Sequence, residues 1–457
     1  MFFSRSENDN AKEIMFYVKR RENLIKTVKE RFPNVKSGFV VIFGDFEKNF
    51  SIPFQQDASF YYLTGVIEPG AVLIIDLKGS STLYIPCHER PRTNWYYLAL
   101  SAKEEDALKV GVNEIKELGK PFKGHDSYSY VSYQEYESLL KFFETVKKEQ
   151  GTIFTLYPSE STNYCLQRFL IDRVNSFLPG FNYMIVDISP IVEAMRRKKD
   201  KHEIELMKKA VEITIQAHNK AAQAVVSSRK ECEVQADFES IITKSHAQRA
   251  CPTIVASGQH STILHYFDNG GDMKKGDLVI VDGGAVFNHY CADITRTYPV
   301  SGKFTKRQRE VYSLVLELQE NIASIARPGY WLNNKEQPDK SLTSLAQLFL
   351  KKHNYPMLHG IGHFLGIDIH DVGDYSKPLQ EGDVITIEPG IYIPEESLGI
   401  RIEDDYLVEK NSLRCLSAAL PKKPDEIEKL MLSDGVLASS FILIFLLILV
   451  VGKKVVF

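Results

Sequence analysis

A chain of 457 residues is too long for one ordinary core, and a formal net charge of −3 supplies no field for a nucleic-acid backbone. With 44% hydrophobic and 25% charged residues, it reads as a globular protein of two domains. Cys87, Cys165, Cys232, Cys251, Cys291 and Cys415 form neither a CxxC pair nor a dense framework, so they read as reduced thiols in a cytosolic protein.

The opening MFFSRSENDNAKEIMF lacks the basic start and apolar run of a secretory signal. A charged helical pattern covers residues 10–32, and FVVIF at 39–43 then reads as a buried strand. FQQDASFYYLTG at 54–65 is rich in aromatic side chains, which suit a core and carry no chemistry by themselves. VLIID at 72–76 and TLYIP at 82–86 flank a Lys78-Gly79-Ser80-Ser81 turn, which is hairpin spacing. Helical and strand patterns alternate as far as Asp187, predicting an α/β domain with a mixed sheet over residues 1–188.

The boundary is placed near Ser189, where VEAMRRKKDKHEIELMKK at 192–209 turns densely charged. Residues 196–201 read as a solvated linker, or as the opening of an amphipathic helix running to about Val226. A second helix is expected over 231–247, then a loop holding Leu264-His265-Tyr266, then two β-type runs around a turn at 278–297. Helices follow at 306–327, closed by Pro328-Gly329, and at 341–353. Strands are expected at 384–388 and 399–408. The order helix, helix, hairpin thus occurs twice in residues 189–432, which predicts a pseudo-twofold α+β core with acids of both hairpins facing one cleft.

Asp282 ends the apolar run LVIV, and Asp293 sits in the return run. Strand propensity disfavours aspartate, so each acid needs a partner or a turn to explain it. Downstream, His363 lies in HGIGHFLGIDIHD, Glu388 in VITIEPGIYI and Glu403 in GIRIEDDYLV. Two Asp, one His and two Glu suit a pair of divalent ions, between which a bridging water loses a proton near neutral pH and becomes a nucleophile. Oxygen ligands with one imidazole favour Mn²⁺ and tolerate Zn²⁺ or Co²⁺. His265 and His370 are free to donate hydrogen bonds to a peptide carbonyl and its oxyanion. His359, His363 and His370 fall in one glycine-spaced segment. The alternative is a mononuclear or empty site whose acids form hydrogen-bonded turns.

The blocks LHYFDN, VDGGAVFNHYCADITRTYPVSGKFTKRQREVY, HGIGHFLGIDIHDVG, TIEPGIYIP and GIRIEDDYLV, with PFQQDASFYYLTGVIEPGAVLIID near the start, resemble the pita-bread metallopeptidases in order and spacing. Within that group they are similar to the Xaa-Pro aminopeptidases (aminopeptidase P), over roughly residues 11–431. The resemblance implies a creatinase-like α/β domain followed by a pita-bread catalytic domain with two Mn²⁺ ions. It implies that Asp293 and Glu403 bridge both ions, that Asp282 binds one, and that His363 and Glu388 complete the other. Glu388 would also handle the proton of the bridging water. His265 and His370 would hold the scissile carbonyl or the proline end, Arg401 would steady the site, and Tyr392 would lie near the substrate. Dimers or tetramers acting on proline-containing peptides follow from the same likeness.

Two positions depart from the family blocks: Gln55 stands for an arginine and His260 for an asparagine. The activity implied is removal of the N-terminal residue from peptides with proline second. Prolidase, acting on Xaa-Pro dipeptides, shares the metal set and the two-domain plan, and a pita-bread binding module without catalysis is the reading outside enzymes. Finally, GVLASSFILIFLLILVVG at 435–452 carries no charge and is apolar all round. Eighteen such residues lie at the lower edge of the ~17–25 of a spanning helix, so 433–457 reads as a tail anchor holding the enzyme on the cytosolic face of a membrane, the alternatives being a helix packed on the body or a non-native extension.

Overall fold

The computed structural model describes residues 7–47, 53–89, 100–123, 132–158 and 164–432. The apolar run at 435–452 lies outside them, and among the described residues no helix is long and apolar enough to cross a membrane. All six cysteines are free thiols.

The chain divides into two compact units after Arg196, at the end of the helix Ser189–Arg197 whose first residue was the expected boundary. In the first unit the β-branched and aromatic runs assemble a six-stranded mixed sheet, in the order Glu114–Glu117, Ser81–Ile85, Val72–Asp76, Gly38–Phe43, Thr152–Thr155, Ile185–Asp187. The predicted hairpin is its antiparallel pair Val72–Asp76 and Ser81–Ile85. Asp76 closes the turn by accepting from the amides of Lys78 and Ser80 at 2.8 and 2.9 Å. Val41, Phe43, Ile74, Leu140, Phe143 and Ile153 fill one face. The aromatic stretch is a short helix, Ala58–Thr64, buried at every position. Asp57 caps it by accepting from the Phe60 amide at 2.8 Å. Gly65 ends it at φ 67, where a side chain would also strike the Tyr17 ring.

The second unit begins with a correction. The charged run is not a solvated linker: Arg197 and Lys199 are buried. Arg197 donates to both oxygens of Asp383 at 2.9 and 2.7 Å, and Lys199 meets Asp371 at 2.7 Å. Partners 186 and 172 positions away, invisible to local composition, remove these cations from water. The helix opens at Lys201, with Asp200 and Glu203 forming a reciprocal cap, and runs to Ser227. Its small-residue face, with Ala217, Ala221 and Ala222, packs into the main core. His218 on that helix is fully buried between Ile294 O at 2.9 Å and Tyr298 OH at 3.2 Å. Burial first, and then Arg296, push it down to about 3, so it is a neutral structural histidine.

Two hairpins carry the acids. In the first, Leu278–Gly283 pairs antiparallel with Ile294–Pro299, and Ile254–Ser257 adds a third strand. The tip pairs Ala285–Phe287 with Tyr290–Cys291 around Asn288-His289, both at positive φ, 46 and 69. That matches the right-handed twist of the flanking strands. Asp293 is not inside the return strand as the pattern suggests; it falls in the gap between Cys291 and Ile294. Helices Lys306–Ile325 and Leu342–Lys352 come next, the first opened by a Thr305/Gln308 capping box. The second hairpin is interrupted. Val384–Ile387 pairs with Asp404–Val408, and Gly390–Ile393 pairs with Leu398–Arg401, so the expected strand 399–408 is two strands split at Ile402-Glu403.

Candidate metal centre

Ladder breaks place the ligand-type acids. Glu388 stands just past Val384–Ile387, its amide donating to Ile361 O at 2.9 Å rather than across the hairpin. Glu403 stands in the gap opposite, its amide donating to Thr295 O of the first hairpin at 3.1 Å. The Asp293 amide donates to the buried Asp405 carboxylate, at 3.2 Å to the nearer oxygen. A residue at such a break projects its side chain free of the pleat, and here those side chains converge.

Among the described residues, one group of His, Asp or Glu side chains is close enough to hold a metal ion: Asp293, His363 and Glu403, with ligand atoms all within 4.8 Å of one another. Glu388 adjoins it, its Oε1 3.8 Å from His363 Nε2, while Asp293 Oδ2 lies 3.5 Å from the same nitrogen. His363 presents that nitrogen because its Nδ1 donates to Phe364 O at 3.0 Å, which selects the tautomer. Thr295 Oγ1 donates to Glu403 Oε2 at 2.7 Å and orients the carboxylate. Asp282 ends its apolar strand against the Arg401 guanidinium, with which it forms an ion pair.

The charge balance shows what this pocket is suited to hold. Burial first, then Asp282, hold the Asp293 carboxyl above its ordinary range despite His363, and burial with the neighbouring acids drives Glu403 well above its own. Glu388 is raised to about 7, by burial first and then by Asp293 and Asp282, against the pull of His363 and Arg401. His363 is raised to about 9: burial opposes its charge, but Asp293 and Glu388 outweigh that cost. Carboxylates packed so closely ask for cations, and oxygen donors with one imidazole fit divalent metal ions of the manganese and zinc kind.

The remaining expected residues line the same region. His370 packs edge-on against His363, ring centres 4.2 Å apart. His265 is exposed on a loop, stacked on Phe267 at 5.8 Å, and lies near enough for its charge to act on His359 and His370. Tyr392 is buried, its hydroxyl accepting from Arg401 Nη1 at 2.9 Å and lying 2.9 Å from His359 Nε2. His359 received no role from the sequence, although its place in the glycine-spaced segment was a signal. Its Nδ1 donates to Gly360 O at 2.9 Å, so Nε2 accepts from Tyr392. Burial first, and then Arg401, lower it to about 4, leaving it neutral. A chain Asp282–Arg401–Tyr392–His359 therefore links two acids of the pocket, its far end, His359 Nδ1, lying 3.8 Å from Glu388 Oε2. Of the two departures, Gln55 is exposed, and His260 bonds Glu231 at 3.0 Å.

The chain is similar to known proteins along most of its length. Residues 205–410 match the model of metallopeptidase family M24, and residues 17–121 match that of the aminopeptidase P N-terminal domain. The chain is 33% identical over 414 residues to an Xaa-Pro aminopeptidase of Escherichia coli strain K12, covering 83% of this chain and 90% of that one. It is also 33% identical over 364 residues to an Xaa-Pro dipeptidase of Pyrococcus furiosus, covering 78% and 90%. The structure of aminopeptidase P from E. coli with the inhibitor Pro-Leu superposes with a TM-score of 0.75 at 26% identity, over 92% of this chain and 98% of that one. Two hairpins that gather acids at their ladder breaks are thus the pita-bread arrangement, and the chain belongs to metallopeptidase family M24, with the N-terminal domain of aminopeptidase P.

Proposed function

We propose that this metallopeptidase is an Xaa-Pro aminopeptidase, releasing the first residue from peptides whose second residue is proline. The observation that carries the reading is the convergence of Asp293, His363 and Glu403 within 4.8 Å, in a chain matching such enzymes along most of its length. In this reading Asp282, Asp293, His363, Glu388 and Glu403 would together hold two Mn²⁺ ions. When bound, such ions acidify water and polarise the peptide carbonyl.

The chain's own groups do the rest. Glu388, 3.8 Å from His363 at the edge of the cluster, is placed to take a proton from water and return it to the departing proline nitrogen. His370 and His265 donate hydrogen bonds to the carbonyl oxygen as charge gathers there. Arg401 holds Asp282 and Tyr392, and Tyr392 borders the substrate. Assembly as a dimer or tetramer, to be checked by light scattering, and a tail anchor at 435–452, to be checked by carbonate extraction of membranes, complete the proposal.

The decisive assay uses metal-stripped protein reloaded with Mn²⁺, given an Xaa-Pro dipeptide beside an Xaa-Pro-Xaa tripeptide. Cleavage of the tripeptide, abolished in Glu403→Ala, is the expected result. Cleavage of the dipeptide alone would make the enzyme a prolidase, and no cleavage with metal bound would turn the site into a binding module.

A further inference from the structure

Glu231 is the first residue of the helix Glu231–Lys244 and is fully buried. An acid there answers the helix dipole, but that does not account for its partners. Five hydrogen bonds converge on its carboxylate, all from residues 257–271. Oε1 accepts from Ser257 N and Ser257 Oγ, each at 2.8 Å, and from His260 Nδ1 at 3.0 Å. Oε2 accepts from Tyr266 OH at 2.9 Å and Gly271 N at 2.6 Å. Both ends of the loop are therefore pinned to one side chain, and the His260 ring stacks on Tyr266 at 4.3 Å and 19°. At Gly271 a β-carbon would lie 2.6 Å from that imidazole and 2.7 Å from Glu231 Oε2, so the clasp leaves no slack. On its other side the loop is tied to the strand that ends in Arg401, through Gly399 N to Ser261 Oγ at 2.8 Å.

We infer that Glu231 is a positioning residue for the peptidase reaction: its carboxylate, with His260 and Tyr266, fixes loop 257–271 so that His265 stands at the substrate cleft. The inference rests on the function proposed above. His265 has no regular element beneath it, so the clasp is what defines its place. Anything that frees either end of the loop loosens the imidazole meant to meet the peptide carbonyl, while the acids on the hairpins stay where they are. His260, which departs from the family block, is drawn into the clasp as an Nδ1–H donor.

The test is Glu231→Gln. A carboxamide accepts through one oxygen only, so its NH₂ must face either Ser257 N or Gly271 N, a backbone donor that cannot turn away. Hydrogen exchange of the full-length variant should rise in peptides spanning 257–271 and remain unchanged across 384–408. For the Mn²⁺-loaded enzyme, kcat/KM on an Xaa-Pro-Xaa peptide should fall about tenfold, with Mn²⁺ affinity unaltered. In a His265→Ala background the same change should cost less than about twofold, because residues acting through one group are not additive. Unchanged exchange, or an equal loss with and without His265, overturns the proposal. If Glu231→Gln does not fold, His260→Ala and His260→Asn replace it: loss in the first and recovery in the second are expected, and wild-type behaviour of both overturns it. A wild-type chain that hydrolyses no Xaa-Pro peptide would refute the proposed function, whereas the exchange experiment still decides whether Glu231 holds the loop.

Discussion

The sheet of the first unit and the hairpins of the second bury their strands in opposite ways. In the former, Val40, Val41, Ile42, Leu73 and Ile75 are sealed from water, and no described strand of that sheet buries a charged side chain. In the latter, Arg296, Arg401, Asp404 and Asp405 are buried on strands, and Glu403 in the gap between two of them. Apolar burial stabilises by about 25 cal/mol per Å² and is indifferent to partner, whereas a buried charge costs several kcal/mol unless it is matched. Arg296 shows the matching: it donates to Asp404 Oδ1 at 2.7 Å, Glu403 O at 2.7 Å, Thr295 O at 3.0 Å and Pro421 O at 2.9 Å. One guanidinium thus rivets the first hairpin to Glu403-Asp404, and so to a member of the metal-binding group. The lesson is that charge is buried where side chains must be aimed, and apolar mass where elements need only be stacked.

Breaking that rivet tests the contrast most severely. Arg296→Met should cost about 3–5 kcal/mol by urea denaturation, since Asp404 loses its fully buried ion-pair partner and keeps only Lys422, at 3.1 Å and partly exposed. Removing both charges together should cost less than removing one; an equal or larger loss would mean the pair is not the source. Thr295→Val keeps the volume and deletes the hydrogen bond to Glu403, so Mn²⁺ affinity should fall about 10–100-fold with little change in fold.

Proton competition sharpens the comparison further. In the metal-free protein Glu388 titrates at about 7 against 4.5 for the ordinary group, so between those values the native state holds more protons than the unfolded chain. Its contribution to stability is therefore greatest at low pH and declines as pH rises through that window. A divalent ion held there, such as the Mn²⁺ proposed above, would compete with that proton, so the metal-induced rise in Tm should be larger at pH 7 than at pH 5; equal rises would refute the coupling. The mildest change lies in the other sheet: Ile75→Val should cost about 0.5–1.5 kcal/mol and leave Mn²⁺ affinity untouched.

Much of this was legible along the chain. Apolar runs marked the strands, helical periodicity closed by Pro328-Gly329 marked the helix at 306–327, and the glycine-spaced histidine segment marked chemistry. Other features were hidden for identifiable reasons. GIRIEDDYLV alternates as one continuous strand, so nothing local announces the gap that frees Glu403. His359 gains a role only from the Tyr392 hydroxyl, 33 positions on. Glu231 looks like an ordinary helix start until five donors from 257–271 close over it.

By itself, then, the sequence determined the elements, their order, the ligand-type residues and the family, because propensity, capping and motif spacing are properties of neighbours along the chain. Tertiary structure alone decided which charges are buried, which acids share a pocket and which carboxylate clasps the loop of His265. Those outcomes depend on distance and desolvation between groups more than a hundred positions apart, such as Thr295 with Glu403 and Arg401 with Asp282, and no local pattern encodes either quantity.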